Sequence, residues 1–340
     1  MIHEDLLLLN YDYELPKNLI ANYPLIPQED AKILVYDRKN DKIRHLQFKH
    51  LSEILPDCEI IFNDTKVIKA RIYGKKQSGG KIECFLHQPL NNNAFLAQIK
   101  GRVKKGEILD FNNNLKVEIL ELLENGIRKI KFIKDKELLQ TKQVFELLEQ
   151  IGHIPLPPYI KRACEKSDEI TYQSIFAKNL GAVAAPTASL HFSKNLINTL
   201  QKNHNLHFIT LHVGAGTFKG VECENIQNHL MHSEFFNINE EVTKLILSDK
   251  NILCVGTTVT RCVEYFIRTK KTKGYCDLFL HPFNKPLRTN FLLTNFHLPK
   301  TTLLMLVASF IGRKKTLELY KEAILKQYRF YSYGDAMLII

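Results

Sequence analysis

The sequence predicts an α/β fold: a discontinuous mixed α/β domain, residues 1–65 and 151–340, interrupted by an inserted antiparallel β-barrel-like domain at 66–150. Three observations predict it. After residue 150, apolar strands, small-residue turns and helix-like stretches alternate, which is the α/β signature. Between 66 and 150, short β-like runs follow one another at near-regular spacing with turn residues between them, as in a small barrel or sandwich. The first 65 residues return to the α/β texture, so the β segment reads as an insertion.

The elements justify this in order. Strands are expected at 33–36 and 59–62. In the insertion, runs at 67–73, 81–87, 94–100, 116–121 and 127–133 are broken by Gly74, Gly79-Gly80, Gly101 and Gly106. Asn91-Asn92-Asn93 and Asn112-Asn113-Asn114 read as loop tips, and Asn125-Gly126 as a two-residue hairpin turn. Beyond 150, strand 208–213 leads into Gly214-Ala215-Gly216-Thr217. Strand 251–255 leads into Gly256-Thr257-Thr258 and a helix over 259–268. Thr301 and Thr302 are capping residues for an apolar helix that Gly312 ends.

The 340 residues are 45% hydrophobic and 24% charged, an ordinary globular composition that excludes a disordered chain. The longest apolar run, 303–311, is about half of the ~18 residues a membrane span needs. His3-Glu4-Asp5 precedes the apolar run 6–9, the wrong charge for a signal peptide. Seven cysteines without a C-x-x-C pair argue against a zinc ribbon and fit a reducing cytoplasm. The net charge of +11 favours a polyanionic partner. Residues 66–150 hold 17 Lys/Arg against 10 Asp/Glu, so +7 of it sits in the insertion. Its densest part contains Arg102, Lys104 and Lys105, which reads either as a solvated lysine face or as a phosphate-contact surface.

Several constellations could carry chemistry. Gly214-Ala215-Gly216-Thr217 lacks the spacing of a dinucleotide fingerprint; it is a tight turn or a place where a ligand approaches backbone N–H groups. Gly256-Thr257-Thr258 opens a helix, and Arg261 follows one turn later. Dipole and guanidinium together could hold a carboxylate or phosphate. In His229-Leu230-Met231-His232-Ser233-Glu234, the last histidine and the glutamate would share one strand face, as acid/base machinery requires. The same cluster leaves a metal site open, although no cysteine lies near enough to complete it. The C-terminal Tyr328–Asp335 stretch, rich in aromatics, reads either as a last core strand or as a pocket edge that presents Asp335.

Eight segments, in order and spread over nearly the whole chain, carry a resemblance. They are Phe62-Asn63-Asp64-Thr65, 152–160, 181–187, Leu190-His191-Phe192, His212–Phe218, Met231-His232-Ser233-Glu234, 294–299 and 331–337. They resemble the S-adenosylmethionine:tRNA ribosyltransferase-isomerases of queuosine biosynthesis. The chain departs from that pattern at Glu29, Lys66, Ser189 and Gly220, where the family usually has Arg, Arg, Gly and Pro.

The resemblance implies an α/β domain interrupted by a barrel-like domain. It also implies a reaction in which the ribosyl part of S-adenosylmethionine passes to 7-aminomethyl-7-deazaguanine at the tRNA wobble position. Isomerisation then gives an epoxycyclopentanediol, with release of adenine and methionine. A base must remove a C5′ proton acidified by the sulfonium, the incoming amine must lose a proton, and departing adenine needs a donor. The implied catalytic set is Glu234, His232, Asp335 and His212. The implied substrate contacts are Asp64, Arg71, Gly214, Gly216, Thr217, Thr257, Arg261, Asn295, His297 and Tyr333, with Arg102, Lys104 and Lys105 on tRNA. S-adenosylmethionine is a consumed co-substrate, and no metal or other cofactor is expected. Partners are tRNA and S-adenosylmethionine, with no membrane; the protein is expected to be a cytoplasmic monomer. A metal-dependent hydrolase using His229 and His232, and a non-enzymatic basic RNA-binding protein, are the alternatives.

Overall fold

The computed structural model describes residues 3–218 and 220–340. Its larger unit is built on a nine-stranded mixed sheet. In spatial order the strands are Lys273–Cys276, Glu234–Ile238, Leu206–Leu211, Glu59–Asn63, Ile252–Val255, Phe291–Asn295, Ala336–Ile339, Lys32–Asp37 and Lys42–Gln47. The central four, from 206–211 to 291–295, run parallel, with Phe208 beside Phe62, Cys254 beside Ile61 and Val255 beside Leu293. Glu59–Asn63 and Ile252–Val255 are buried along their whole length. That is why they read as continuous apolar runs without alternation: both faces of a parallel sheet are covered.

Helices supply the cover. Val259, Cys262, Val263 and Phe266 of helix Thr257–Thr269 pack on Ile61, Ile209, Leu211 and Cys254. On the opposite face Leu196, Ile197 and Leu200 of helix Lys194–Leu200 join Ile60, Phe62, Leu253 and Val255. Helix Thr302–Ile311, capped by the Thr301 hydroxyl as expected, packs against Leu34, Leu292 and Met337. The last strand, Ala336–Ile339, lies between 291–295 and 32–37, so the two ends of the chain meet in one sheet.

Between these halves stands a closed six-stranded antiparallel barrel: Arg71–Lys76, Lys81–Pro89, Ala94–Lys100, Ile108–Phe111, Leu115–Leu122 and Ile127–Lys134, with 127–134 pairing both 94–100 and 115–122. Alternation fills it: Ile82, Cys84 and Leu86 point inward, and Phe95, Ile119, Ile130 and Phe132 meet them. Helix Thr141–Ile151 adds Val144, Leu147 and Leu148 to the same core. Asn125 and Gly126 both take positive φ, 54° and 76°, as a primed hairpin turn demands. Strand 108–111 is an addition to the expected elements; four residues between Gly106 and Asn112 are too few to show a clear alternation.

Candidate active site

Two concavities flank one buried carboxylate, Glu234, which lines neither but is hydrogen-bonded by a residue of each. The smaller is lined by Ala184, Ala185, Thr187, Val213, Thr217, Gly256, Thr257, Asn295, His297, Tyr159 and Tyr331. It opens at the carboxyl ends of the parallel strands, the place where open α/β sheets bind ligands. The larger, about 1280 Å³, runs between the barrel and the loops of the α/β unit. Arg71, Glu83, Phe85, Gln98 and Lys100 line it from the barrel, and Gly214, Gly216, His229, His232 and Ser233 from the other side.

Glu234 begins strand 234–238 and is 2% exposed. Its Oε1 accepts the Gly214 N–H at 2.8 Å and the Thr217 hydroxyl at 3.0 Å, and stands 3.6 Å from His232 Nε2. Its Oε2 is paired with the Arg261 guanidinium. Burial pushes the carboxyl up, but Arg261, His232 and the Gly214 N–H more than offset this and hold it near pKa 2. Arg261 is equally committed. It is 3% exposed and also donates to the carbonyls of Leu278 at 2.9 Å and Cys276 at 3.2 Å. The guanidinium that the sequence offers to an anion is thus engaged by the Glu234 carboxylate and two backbone carbonyls. Thr257, at the head of the same helix, does line the smaller pocket.

His232 precedes the strand, yet it reaches Glu234 as the spacing predicts. Gly216 makes this possible, since a Cβ there would lie 2.5 Å from the His232 ring. The Gly214–Thr217 turn thus combines two devices: an N–H and a hydroxyl for the carboxylate, and a bare Cα that admits the imidazole.

Other expected residues are not brought to this point. His212 bonds through Nδ1 to the Thr65 hydroxyl at 2.8 Å and stacks on Phe235, whose side chain leaves the strand opposite to that of Glu234. Asp64 accepts from Thr210 at 2.7 Å and Asn179 at 3.0 Å, tying strand 59–63 to its neighbours. Asp335 is 2% exposed and accepts the backbone N–H groups of Lys32 at 2.9 Å and Arg329 at 2.7 Å. It closes the sheet and lines neither concavity. Tyr333 donates to Asp168 at 3.0 Å, beside the Arg162–Asp168 pair, and also lines neither. Asn295 and His297 do line the smaller pocket. His297 Nε2 is engaged with the Thr294 hydroxyl at 2.9 Å, and burial lowers its pKa to about 3. Arg71 lines the large cleft, 3.3 Å from Glu83. Arg102, Lys104 and Lys105 are exposed in the loop between strands 94–100 and 108–111, outside the cleft, which Lys100 enters instead.

Sequence reasoning missed Tyr159, Tyr331 and the small-residue wall Ala184-Ala185. The segments 152–160 and 181–187 carried the resemblance, but nothing in their spacing says that they face one pocket. Among the described residues, no group of three His, Cys, Asp or Glu side chains could hold a metal ion. Two departures from the resembled pattern leave buried polar atoms without a hydrogen-bond partner, Glu29 Oε2 and Ser189 Oγ.

Comparison with known proteins shows the family. The family model described as "Queuosine biosynthesis protein" matches residues 8–339. The chain is 64% identical to the S-adenosylmethionine:tRNA ribosyltransferase-isomerase of Campylobacter jejuni strain 81-176, over 100% of both chains. It is 60% identical to that of Campylobacter fetus, over 98% of each. The crystal structure of the S-adenosylmethionine tRNA ribosyltransferase of Thermotoga maritima, 30% identical, superposes with a TM-score of 0.54 over 97% of this chain and 100% of that one. The chain therefore belongs to the queuosine biosynthesis protein family.

Proposed function

We propose that this chain transfers and isomerises the ribosyl moiety of S-adenosylmethionine onto 7-aminomethyl-7-deazaguanine at the wobble position of tRNA, releasing adenine and methionine. The observation that carries the reading is that Glu234 is hydrogen-bonded by residues of both concavities. Thr217, which donates to that carboxylate, lines the smaller pocket, while Gly214, Gly216 and His232 line the larger cleft. A small co-substrate and a macromolecular base approach a shared centre from opposite sides. The full-length identity to enzymes of that name supports the same activity.

The roles follow from which groups are free to act. Glu234, held near pKa 2 with both oxygens engaged, is a poor proton acceptor and a good anchor. His297 is occupied by Thr294; His212 and Asp335 face elsewhere. Of the histidines lining the cleft that takes the tRNA, His232 is the one set against Glu234, at 3.6 Å. In this reading it accepts the proton of the aminomethyl nitrogen, and Glu234 stabilises the imidazolium that forms, as the carboxylate of a triad does. The Gly256-Thr257 helix start receives the methionine carboxylate.

Residues 1–65 and 151–340 form the catalytic unit, and the 66–150 barrel holds tRNA through Arg71, Lys100 and the Arg102, Lys104, Lys105 loop. S-adenosylmethionine is consumed and no further cofactor is required. The protein acts as a cytoplasmic monomer; among the described residues no helix is long and apolar enough to cross a membrane. His232→Gln is the direct test. It should slow single-turnover transfer by roughly 10²–10⁴-fold while binding of both substrates persists; wild-type transfer by that variant would remove His232 from the mechanism.

A further inference from the structure

Tyr331 is at odds with its surroundings in two ways. Its φ is +75°, a strained conformation for an aromatic residue. Its hydroxyl is buried without a hydrogen-bond partner, in a residue only 6% exposed. Among nearby tyrosines, Tyr159 meets Ser332 Oγ at 2.5 Å, Tyr333 donates to Asp168 and Tyr320 accepts the His297 N–H at 3.1 Å, whereas the Tyr172 hydroxyl, behind Tyr333 and outside the pocket lining, is also without a partner. An orphaned buried hydroxyl calls for an explanation.

The strained backbone is held from three sides. The Tyr331 N–H donates to the Phe296 carbonyl at 3.1 Å, and its own carbonyl accepts from Gly334 at 2.9 Å and from Asn295 Nδ2 at 3.2 Å. Asn295 has nothing left for a ligand on its nitrogen, which also meets His191 at 3.2 Å, and its oxygen accepts from Thr187. These contacts fix the Tyr331 ring in the wall of the smaller pocket, 4.2 Å from the Tyr159 ring at a 34° tilt. Ala184, Ala185 and Val213 complete an apolar lining.

We propose that Tyr331 is the purine contact of this pocket: its ring, with that of Tyr159, forms the aromatic wall for adenine, and its hydroxyl donates a hydrogen bond to a purine ring nitrogen. The inference rests on the activity proposed above. Adenine is the flat aromatic part of the co-substrate, and stacking on such walls is how apolar pockets take it. When the C1′–N9 bond breaks, its electron pair goes to the purine. A donor already at a ring nitrogen stabilises that charge. Tyr331 keeps its proton throughout, since burial pushes the phenol up. Asn295 is a positioning residue that aims Tyr331.

Tyr331→Phe removes only the hydroxyl, so fold and stacking are retained. Single-turnover purine release is measured with S-adenosylmethionine and with its 1-deaza, 3-deaza and 7-deaza analogues, tRNA being saturating. The natural co-substrate should release adenine roughly 10²-fold more slowly from the variant. With the analogue that lacks the contacted nitrogen, wild type should already be slow and Tyr331→Phe should slow it no further. Asn295→Ala should show the same pattern, which general loosening of the fold would not give. An equal effect of Tyr331→Phe on all four co-substrates, or none, overturns the contact. A wild-type enzyme that releases no adenine overturns the activity itself, and this proposal with it.

Discussion

Glu234→Gln tests the division of labour at the centre of the site. Glutamine keeps the shape but has one acceptor oxygen: turned to Gly214 and Thr217 it presents its N–H₂ to Arg261, and turned to Arg261 it presents N–H₂ to the Gly214 N–H. That guanidinium, 3% exposed, is left without its counter-charge. Breaking a buried pair from one side costs about 3–5 kcal/mol, a fall in melting temperature of roughly 4–7 °C for a chain of this length. The pH dependence has a defined sign. The folded carboxyl lies near 2, below its ordinary value of 4.5, so its stabilisation is complete above pH 4.5 and drains away as the pH falls toward 2. The full amount is on the order of 3 kcal/mol. Wild type and variant should therefore differ most at neutral pH and converge in acid. Replacing both partners, Glu234→Leu with Arg261→Met, should restore most of the stability, because well-packed apolar groups substitute for buried pairs at little cost. That double variant should nonetheless stay inactive, since His232 has lost its anchor. Thermal melts across pH, together with single-turnover adenine release, decide the matter. A Glu234→Gln protein that melts with wild type and releases adenine at full speed would refute both the buried-pair argument and the catalytic one.

Three further expectations follow from the same geometry. Gly216→Ala places a Cβ 2.5 Å from the His232 ring, so it should abolish transfer while circular dichroism stays native. Asp335→Asn should lower stability by about 1–3 kcal/mol through weakened bonds to the Lys32 and Arg329 N–H groups. It should leave the kinetics of the folded fraction unchanged, and a selective loss of turnover would return Asp335 to the reaction. Neutralising Arg102, Lys104 and Lys105 should reduce the slope of log affinity for tRNA against log salt by about one unit per lost phosphate contact, with an unchanged slope placing the tRNA elsewhere.

Much of the fold was legible because its physics is local. The barrel's alternation, the Asn125-Gly126 turn, the Thr301 cap and the continuously buried parallel strands each follow from residues a few positions apart. Strand 108–111 was lost because it is shorter than the pattern that would reveal it. In the site, His232 and Glu234 were found by spacing, since two positions apart on an extended chain means one face. His212 is separated from them only by the fold, where it stacks on Phe235, which alternates with Glu234. Arg261, Asp335 and Tyr333 stand out in the chain, but their partners within the fold do not. Their commitments are to Glu234, to the Lys32 backbone and to Asp168, between 27 and 303 residues away, and no local pattern encodes such contacts. Tyr331 escaped notice for a related reason: a positive φ and an orphaned hydroxyl exist only once the chain is folded.

The central claim is that a co-substrate pocket and a tRNA cleft share one reaction centre. The most direct measurement mixes the protein with S-adenosylmethionine and tRNA carrying 7-aminomethyl-7-deazaguanine, and follows the small molecules and the wobble nucleoside together. Adenine, methionine and the epoxycyclopentanediol-modified base should appear in equal amounts, with no S-adenosylhomocysteine formed and none of the three appearing when the tRNA carries guanine at that position. Methyl transfer, or co-substrate that stays intact beside the correct tRNA, would contradict the account.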